Sequence, residues 1–379
     1  MNSLEFQYYL PVNLIFGRGT AEQIGAETAK YGRRALIVTG RSSTKKSGLL
    51  ARAEAQLDDA GVAHVLFDCV TQNPLTTTVM EGAQLGRAHE CDVVLALGGG
   101  SVMDAAKAIA LMCTAEGDIN DYITQQRPIV APLPLIAVPT TCGTGSEGNG
   151  TAVLSNPETK DKRSIRNALC VPKASIVDPL LMKTMPRATL ASVGFDALCH
   201  CMESCLSRKN TPMSRMLALQ GMELAIRNLP AAYEDSENDE AWEGITLAST
   251  LGGMTIFASS VAAPHGIEHP ASGLRDLVHG RGLAALTPVI YERSLSGAPE
   301  TFTLIAKALG ARKASGCPDA VRRFLERIDL NLTLSQQGIL EEDIDWMADN
   351  CMKVSAGMLQ NHPVLFSRDD VAAIYRAAL

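Results

Sequence analysis

Asp196 and His200 stand four residues apart in the run Gly194-Phe195-Asp196-Ala197-Leu198-Cys199-His200. On a helix that spacing puts both side chains on one face, one turn apart. A carboxylate beside an imidazole is more often a plain hydrogen-bonded pair, but the chain returns to the theme. His265, His269 and His279, three of its seven histidines, fall within fifteen residues. An Asp with several His is a donor set for a divalent transition metal that keeps positions open. Imidazole serves iron and zinc equally. Spacing does not say which of His265 and His269 would be a ligand.

A second chemistry-bearing segment lies upstream. Val93-Val94-Leu95-Ala96-Leu97 runs into Gly98-Gly99-Gly100-Ser101, then into a helical stretch with Asp104 and Lys107. A strand, a glycine turn and a helix N-terminus make an anion site, because free backbone N–H groups point at the ligand and glycine lets it approach. A dinucleotide pyrophosphate fits; the plain alternative is a tight turn that only joins strand to helix. A formal G-x-G-x-x-G stands at Gly143-Thr144-Gly145-Ser146-Glu147-Gly148. It is set aside, because that fingerprint belongs to the first βα turn and three strands precede it here. The Asn149, Gly150, Asn156 and Pro157 that follow also make a poor helix. Thr140, Thr141 and Thr144 still offer hydroxyls at a strand end.

The elements that must position these groups follow from periodicity. Strands are expected over 35–39, 63–67, 92–97 and 134–138, alternating with helices over 49–60, 77–89 and 101–112. This βαβαβαβ order implies a parallel sheet with helices on both faces, which binds ligands at the carboxyl ends of its strands. Beyond Asp178-Pro179 helical periodicity takes over, with helices over 188–207, 212–228, 242–258 and 300–309. The fold class is therefore an α/β Rossmann-like dinucleotide-binding domain over 1–183, followed by an all-α domain over 184–379 that carries the metal-type residues.

Composition narrows the partners. The 379 residues carry a net charge of −7, which argues against nucleic acid or an anionic membrane. No apolar run is long enough to read as a membrane span, and the stretch 1–10 does not have the order of a signal peptide. Ten cysteines without a C-x-x-C pair read as reduced thiols in a cytoplasmic protein. The acidic segment 234–240 reads as a solvated loop between helices.

Taken together, the segments resemble the iron-containing (group III) alcohol dehydrogenase family over nearly the whole chain. The match begins at Pro11-Val12-Asn13-Leu14-Ile15-Phe16-Gly17 and includes the Gly98 turn and Pro139-Thr140-Thr141-Cys142-Gly143-Thr144-Gly145-Ser146-Glu147. It continues through Gly194–His200 to His265-Gly266-Ile267-Glu268-His269-Pro270 and His279-Gly280. The resemblance implies Asp196, His200, His265 and His279 as ligands of Fe2+, with Zn2+ the alternative. His269 is then the second, non-ligating histidine beside the nicotinamide. Gly99, Gly100 and Ser101 match the pyrophosphate loop, with Asp104 in the helix behind it. Asn73, Thr140, Thr141, Thr144 and Lys162 match positions lining the cofactor. The implied activity is hydride transfer between a nicotinamide cofactor and a small alcohol or aldehyde, with the metal as Lewis acid and His269 as proton relay. The implied assembly is a homo-oligomer, a dimer or larger.

Two departures from the family pattern bear on specificity. NAD-using members often carry Asp after the first strand of the Rossmann-like unit, where it bonds the adenosine ribose. Here the strand ends Thr39-Gly40-Arg41-Ser42-Ser43, with Lys45 and Lys46 following. Gly40, Ser42 and Ser43 with a nearby cation, Arg41 or Lys45, suit a 2′-phosphate, so NADP(H) is expected over NAD(H); the plain alternative is that Arg41 and Lys45 are exposed loop charges. Gly148-Asn149-Gly150-Thr151 replaces a usual Val-Thr, which alters the loop beside the nicotinamide. Leu251, Met254 and Phe257 are candidates for the substrate pocket or for plain core packing. The alternatives to this activity are a zinc-dependent, glycerol-type polyol dehydrogenase and a non-catalytic sensor binding NADP and metal.

Overall fold

The computed structural model describes residues 5–379. The first four residues of the stretch read for a leader lie outside the described residues. Among the described residues eight strands form, β1 (Asn13–Phe16), β2 (Arg34–Gly40), β3 (Ala63–Val70), β4 (Val93–Gly98), β5 (Leu135–Pro139), β6 (Thr151–Ser155), β7 (Lys162–Arg166) and β8 (Ala174–Val177). Six of them make a parallel sheet in the order β1-β8-β5-β4-β2-β3, and β6 and β7 pair antiparallel in a separate hairpin.

The central strands are unbroken apolar runs because both faces of a parallel sheet are covered. Alternate residues feed two cores. Leu36, Val38, Val94 and Ala96 pack with Met103 and Ile109 of the helix Gly100–Thr114 on one face. Ile37, Leu95 and Ile136 pack with Leu50 and Leu57 of the helix Leu49–Asp59 on the other. From β2 the chain steps outward to β3, then crosses to the far side of β2 for β4, so the strand order reverses between β2 and β4. Ligands bind in the crevice outside the carboxyl ends at such a reversal, and here those ends carry Gly40 and Gly98.

After β8 no further strand forms among the described residues. The helices Arg187–Leu206, Pro212–Glu234 and Asp239–Ser259 pack together, and Ala263–Arg275 and His279–Ser294 complete the wall of the cleft. The helix expected over 212–228 runs on through Pro230 to Glu234, and Asp239 opens the next, so only 235–238 link them. No single described helix is long and apolar enough to cross a membrane.

β1, β8, the β6–β7 hairpin and the helices Ala263–Arg275 and His279–Ser294 escape the periodicity reading. The two helices hold Pro270 and Pro288 in their interiors, where proline removes a donor and disfavours helix. Their burial in the core outweighs that local cost. The set-aside glycine motif opens no helix; it enters a short 3₁₀ turn, Ser146–Gly148, and then β6. Its Gly145 has φ +56°, and a Cβ there would lie 2.2 Å from the Ser249 carbonyl oxygen. That glycine lets the loop lie against the helix Asp239–Ser259, which joins the two halves.

Candidate metal and dinucleotide cleft

The helix Arg187–Leu206 is buried along most of its length and presents Asp196, His200 and Glu203 on one side. The helix Ala263–Arg275 brings His265, Glu268 and His269, and His279 opens the helix that follows. Around Asp196 Oδ1 lie the Nε2 atoms of His265 at 3.2 Å, His200 at 3.5 Å and His279 at 3.7 Å. Donor atoms of Asp196, His265 and His279 lie within 4.8 Å of one another, and His200 joins them through Asp196. Hydrogen bonding alone accounts poorly for this, since two of the three separations exceed a good N–H···O distance. A cation with bonds of about 2.0–2.2 Å sets its ligands roughly 3.4 Å apart, and the three separations bracket that value. The residues fit a divalent transition metal.

Two buried carboxylates stand behind the imidazoles. Glu203 Oε1 is 2.5 Å from His265 Nδ1, and its Oε2 accepts from the Ala262 N–H at 2.7 Å. Glu268 pairs with His279 Nδ1 and accepts from the Ser272 hydroxyl. Both are fully buried. A carboxylate on Nδ1 fixes the tautomer that turns the Nε2 lone pair to the centre. Sequence reasoning missed these roles, although Glu203 follows Asp196 by seven residues and Glu268 follows His265 by three, both helical repeats of one face.

Burial disfavours every charge here, and neighbours decide the outcome. At Asp196 burial is outweighed by His200, His265 and His279, which hold the carboxyl below its ordinary range. At His265 burial is overcome by Glu203 and Asp196, and the imidazole rises to about 10. Burial pushes His200 down to about 4. His269 is driven well below the usual imidazole range by burial and by Lys162. It is therefore neutral near pH 7. Its Nδ1 is buried without a partner, which leaves Nε2 as the nitrogen that can meet the cleft.

This cluster opens into a cleft of about 980 Å³ that also reaches Asn73, Gly100, Ser101, Asp104, Thr144 and Lys162. The histidines and the glycine turn, close to a hundred residues or more apart in sequence, thus share one cavity. Gly99 and Gly100 back onto the threonine loop: added Cβ atoms would come within 2.9 Å of Thr141 and 2.3 Å of Thr144. Lys162 Nζ donates to Asn73 Oδ1 at 3.0 Å, and Asn73 Nδ2 reaches Asp276 Oδ1 at 2.6 Å across the cleft. Asp104 lines the wall with both oxygens engaged, accepting from Ser146 Oγ at 2.6 Å and Val153 N at 3.0 Å. Lys107 braces the same loop through Ser146, Asn149 and Thr151.

Other sequence candidates lie apart from that cavity. Thr140 lines a smaller neighbouring hollow. Gly40 ends β2, and Arg41 and Ser42 are exposed beyond it. Lys45, expected to help hold a 2′-phosphate, is paired with Asp68 near the end of β3. Of the substrate-pocket candidates Leu251, Met254 and Phe257, none lines the cleft: Phe257 lies under the guanidinium of Arg166, and its neighbour Ile256 lines the cleft instead.

A parallel sheet with a glycine turn at its switch point, opening onto a buried Asp/His cluster, defines a metal-dependent nicotinamide dehydrogenase. Residues 11–179 match the model described as iron-containing alcohol dehydrogenase, and residues 190–379 match the C-terminal model of the Fe-containing alcohol dehydrogenase family. The chain belongs to the iron-containing alcohol dehydrogenases. It is 33% identical to the 1,3-propanediol dehydrogenase of Klebsiella pneumoniae, covering 98% of each chain. It is 30% identical to the NAD-dependent methanol dehydrogenase of Bacillus methanolicus, covering 98% of this chain and 99% of that one. Among solved structures, an archaeal halo-thermophilic Red Sea brine pool alcohol dehydrogenase superposes with a TM-score of 0.96 at 37% identity, covering all of both chains. The chain is a metal-dependent alcohol dehydrogenase acting on CH–OH groups.

Proposed function

We propose that this enzyme interconverts a small alcohol and its aldehyde or ketone with NADP(H) in preference to NAD(H), and that Asp196, His200, His265 and His279 hold its Fe2+. The carrying observation is the convergence of three imidazole Nε2 atoms on Asp196 Oδ1 inside a cleft continuous with the glycine turn. Residues 1–183 serve as the dinucleotide-binding unit and 184–379 as the metal-binding unit. When bound, the metal supplies Lewis acidity and the nicotinamide ring takes or gives the hydride. Overall, CH–OH and NADP+ become C=O, NADPH and one proton.

The chain's own residues do the rest. Glu203 and Glu268 hold the imidazoles of His265 and His279 with Nε2 forward. Gly99, Gly100 and Ser101 offer backbone N–H groups to the pyrophosphate. Thr141 and Thr144 support the dinucleotide from the adjoining strand end, with Thr140 beside them on the neighbouring hollow, and Asn73 and Lys162 face it across the cleft. Asp104 serves by holding the loop on which the cofactor lies. His269, neutral at physiological pH, takes or gives the proton at Nε2. The NADP(H) preference rests on the β2 end, where Gly40, Arg41 and Ser42 stand in place of a carboxylate. Asp68, the nearby acid, is already held by Lys45.

Anaerobic removal of metal by chelator, followed by add-back of ferrous iron or zinc, tests the reading with NADPH and NADH oxidation and a panel of short aldehydes. Restoration by iron with NADPH well ahead is expected. A preference for NADH overturns the reading of the β2 end. Activity indifferent to metal overturns the ligand assignment.

A further inference from the structure

The cleft extends past the histidines to a bend between two helices. Asp239–Ser259 ends and Ala263–Arg275 begins at an angle of 103°. Ile256, Ser260 and Val261 of this elbow line the cleft. Ser260 has φ 64° and ψ 167°, a conformation that side-chain-bearing residues rarely adopt. Strain of that kind persists only where the surroundings impose it, and it collects at ligand sites.

Two cations border this elbow. Arg166 closes β7, and its guanidinium lies 5.4 Å over the Phe257 ring and donates to the Phe257 carbonyl. Lys209 is tied to the elbow from the other side. Its backbone N–H donates to Ser207 Oγ at 3.0 Å and Asn361 Oδ1 at 3.2 Å, and Asn361 donates to the carbonyls of Ser259 at 3.1 Å and Val261 at 2.8 Å.

The charges of the lining do not cancel here. Arg127 is paired with Asp121, and Lys162 sits between Asn73 and Glu268. Arg166 and Lys209 also line the cleft, and among the described residues neither forms an ion pair with a carboxylate. The acids of the lining, Asp104 and Asp196, are both committed elsewhere. Lys162 and Arg166 occupy opposite ends of β7, roughly 13 Å apart along the strand, so Arg166 is remote from the Lys162 cluster. An arginine fixed by an aromatic face and one carbonyl keeps further N–H donors in a planar fork that matches a carboxylate, with part of its ordering cost already met.

We propose that Arg166 and Lys209 form a sub-site for a carboxylate, so that the preferred alcohols and aldehydes carry an acid group away from the reacting carbon. This rests on the dehydrogenase reading above and names its substrate class. The test compares matched aldehydes, 4-oxobutanoate against butanal and 5-oxopentanoate against pentanal, on the iron-loaded enzyme with NADPH at low salt. The acid is expected to lead in kcat/KM by about tenfold or more in at least one pair, mainly through KM, and the lead should shrink as KCl is raised. Arg166→Gln and Lys209→Gln should each cut the acid-to-neutral ratio, by about 10- to 100-fold for the arginine, while Arg166→Lys retains part of it. Equal rates for acid and neutral partners, or a ratio unmoved in both variants, overturns the proposal. Calorimetry with 4-hydroxybutyrate on the holoenzyme separates the two readings. Binding that depends on Arg166 without turnover of any aldehyde upholds the sub-site and overturns the dehydrogenase assignment. Absence of binding overturns the sub-site.

Discussion

Replacing Glu203 by Gln alters the back of His265 and leaves all four proposed ligands in place. Both Glu203 oxygens face donors, with His265 Nδ1 at 2.5 Å and the Ala262 N–H at 2.7 Å. Gln offers one acceptor and one NH2 group of nearly the same shape. If its oxygen stays on Ala262, the NH2 meets His265 Nδ1, which can then carry no proton, so the imidazole keeps its proton at Nε2. That N–H then points at Asp196 Oδ1, 3.2 Å away, and the Nε2 lone pair that a metal would take is lost. If the amide is flipped, the buried Ala262 N–H loses its acceptor, at about 1–3 kcal/mol. Either way metal binding competes with a better-bonded alternative. The expected loss in metal affinity is about 10- to 100-fold, the range for such carboxylates behind a histidine, or roughly 1.4–2.8 kcal/mol. The assay is competition for zinc and, anaerobically, ferrous iron against a chromophoric chelator of known affinity. Melting curves in excess chelator check that the variant folds. A folded Glu203→Gln protein that binds both metals within twofold of wild type refutes the account of tautomer control.

Two further predictions concern stability. Burial pushes His362 down to about 4; its Nε2 meets Ser294 Oγ, itself donating to the Ile290 carbonyl, and its Nδ1 has no partner. The unfolded chain therefore binds more protons between about pH 6.5 and 4, so this residue's contribution to stability falls as pH drops through that window, by roughly 3 kcal/mol in all. His362→Gln keeps a donor toward Ser294, and its unfolding free energy, measured by denaturant melts from pH 7 to 4, should decline less steeply than wild type. Gly145→Ala adds a Cβ 2.2 Å from the Ser249 carbonyl at φ +56°. It should cost roughly 2–5 kcal/mol of unfolding free energy, whereas an unchanged melting curve would show that the loop and helix are not locked there.

Much of the sheet is legible because its central strands are buried on both faces and spell themselves as apolar runs. Their ends shift by only a residue or so, apart from β3, which runs on to Val70 beyond the expected Phe67. Asp196 and His200 are equally visible as a metal-type pair, since they share a helical face and histidine is scarce, whereas spacing does not tell His265 from His269 and only the family resemblance does. What escapes is decided by partners far along the chain. A glutamate at Glu203 is ordinary on a helix until His265, 62 residues on, is folded against it. Lys45 looks free for a phosphate until Asp68 of the next strand takes it. Arg166 and Lys209 are exposed charges in the fold as well, and nothing in the sequence shows that both line one cleft beside the elbow at Ser260. The helices around Pro270 and Pro288 are illegible for the opposite reason: their local sequence argues against the structure that packing imposes.

The arrangement also explains how the proposed metal-binding cluster can be largely buried. Four imidazoles and three carboxylates packed together and largely buried are costly unless most of them find partners. Here one buried helix supplies Asp196, His200 and Glu203 together, while a single bend delivers His265, Glu268 and His269 opposite them. The carboxylates behind the imidazoles thus come from the same two helices as most of the proposed ligands. A shift of either helix moves ligand and support together, so the spacing at the centre depends mainly on how these two helices pack. That places Gly252 on the metal side of the design. A Cβ there would come within 3.2 Å of His200 Cβ and the Ala197 carbonyl oxygen, and the glycine holds the helix Asp239–Ser259 close against the helix that carries Asp196.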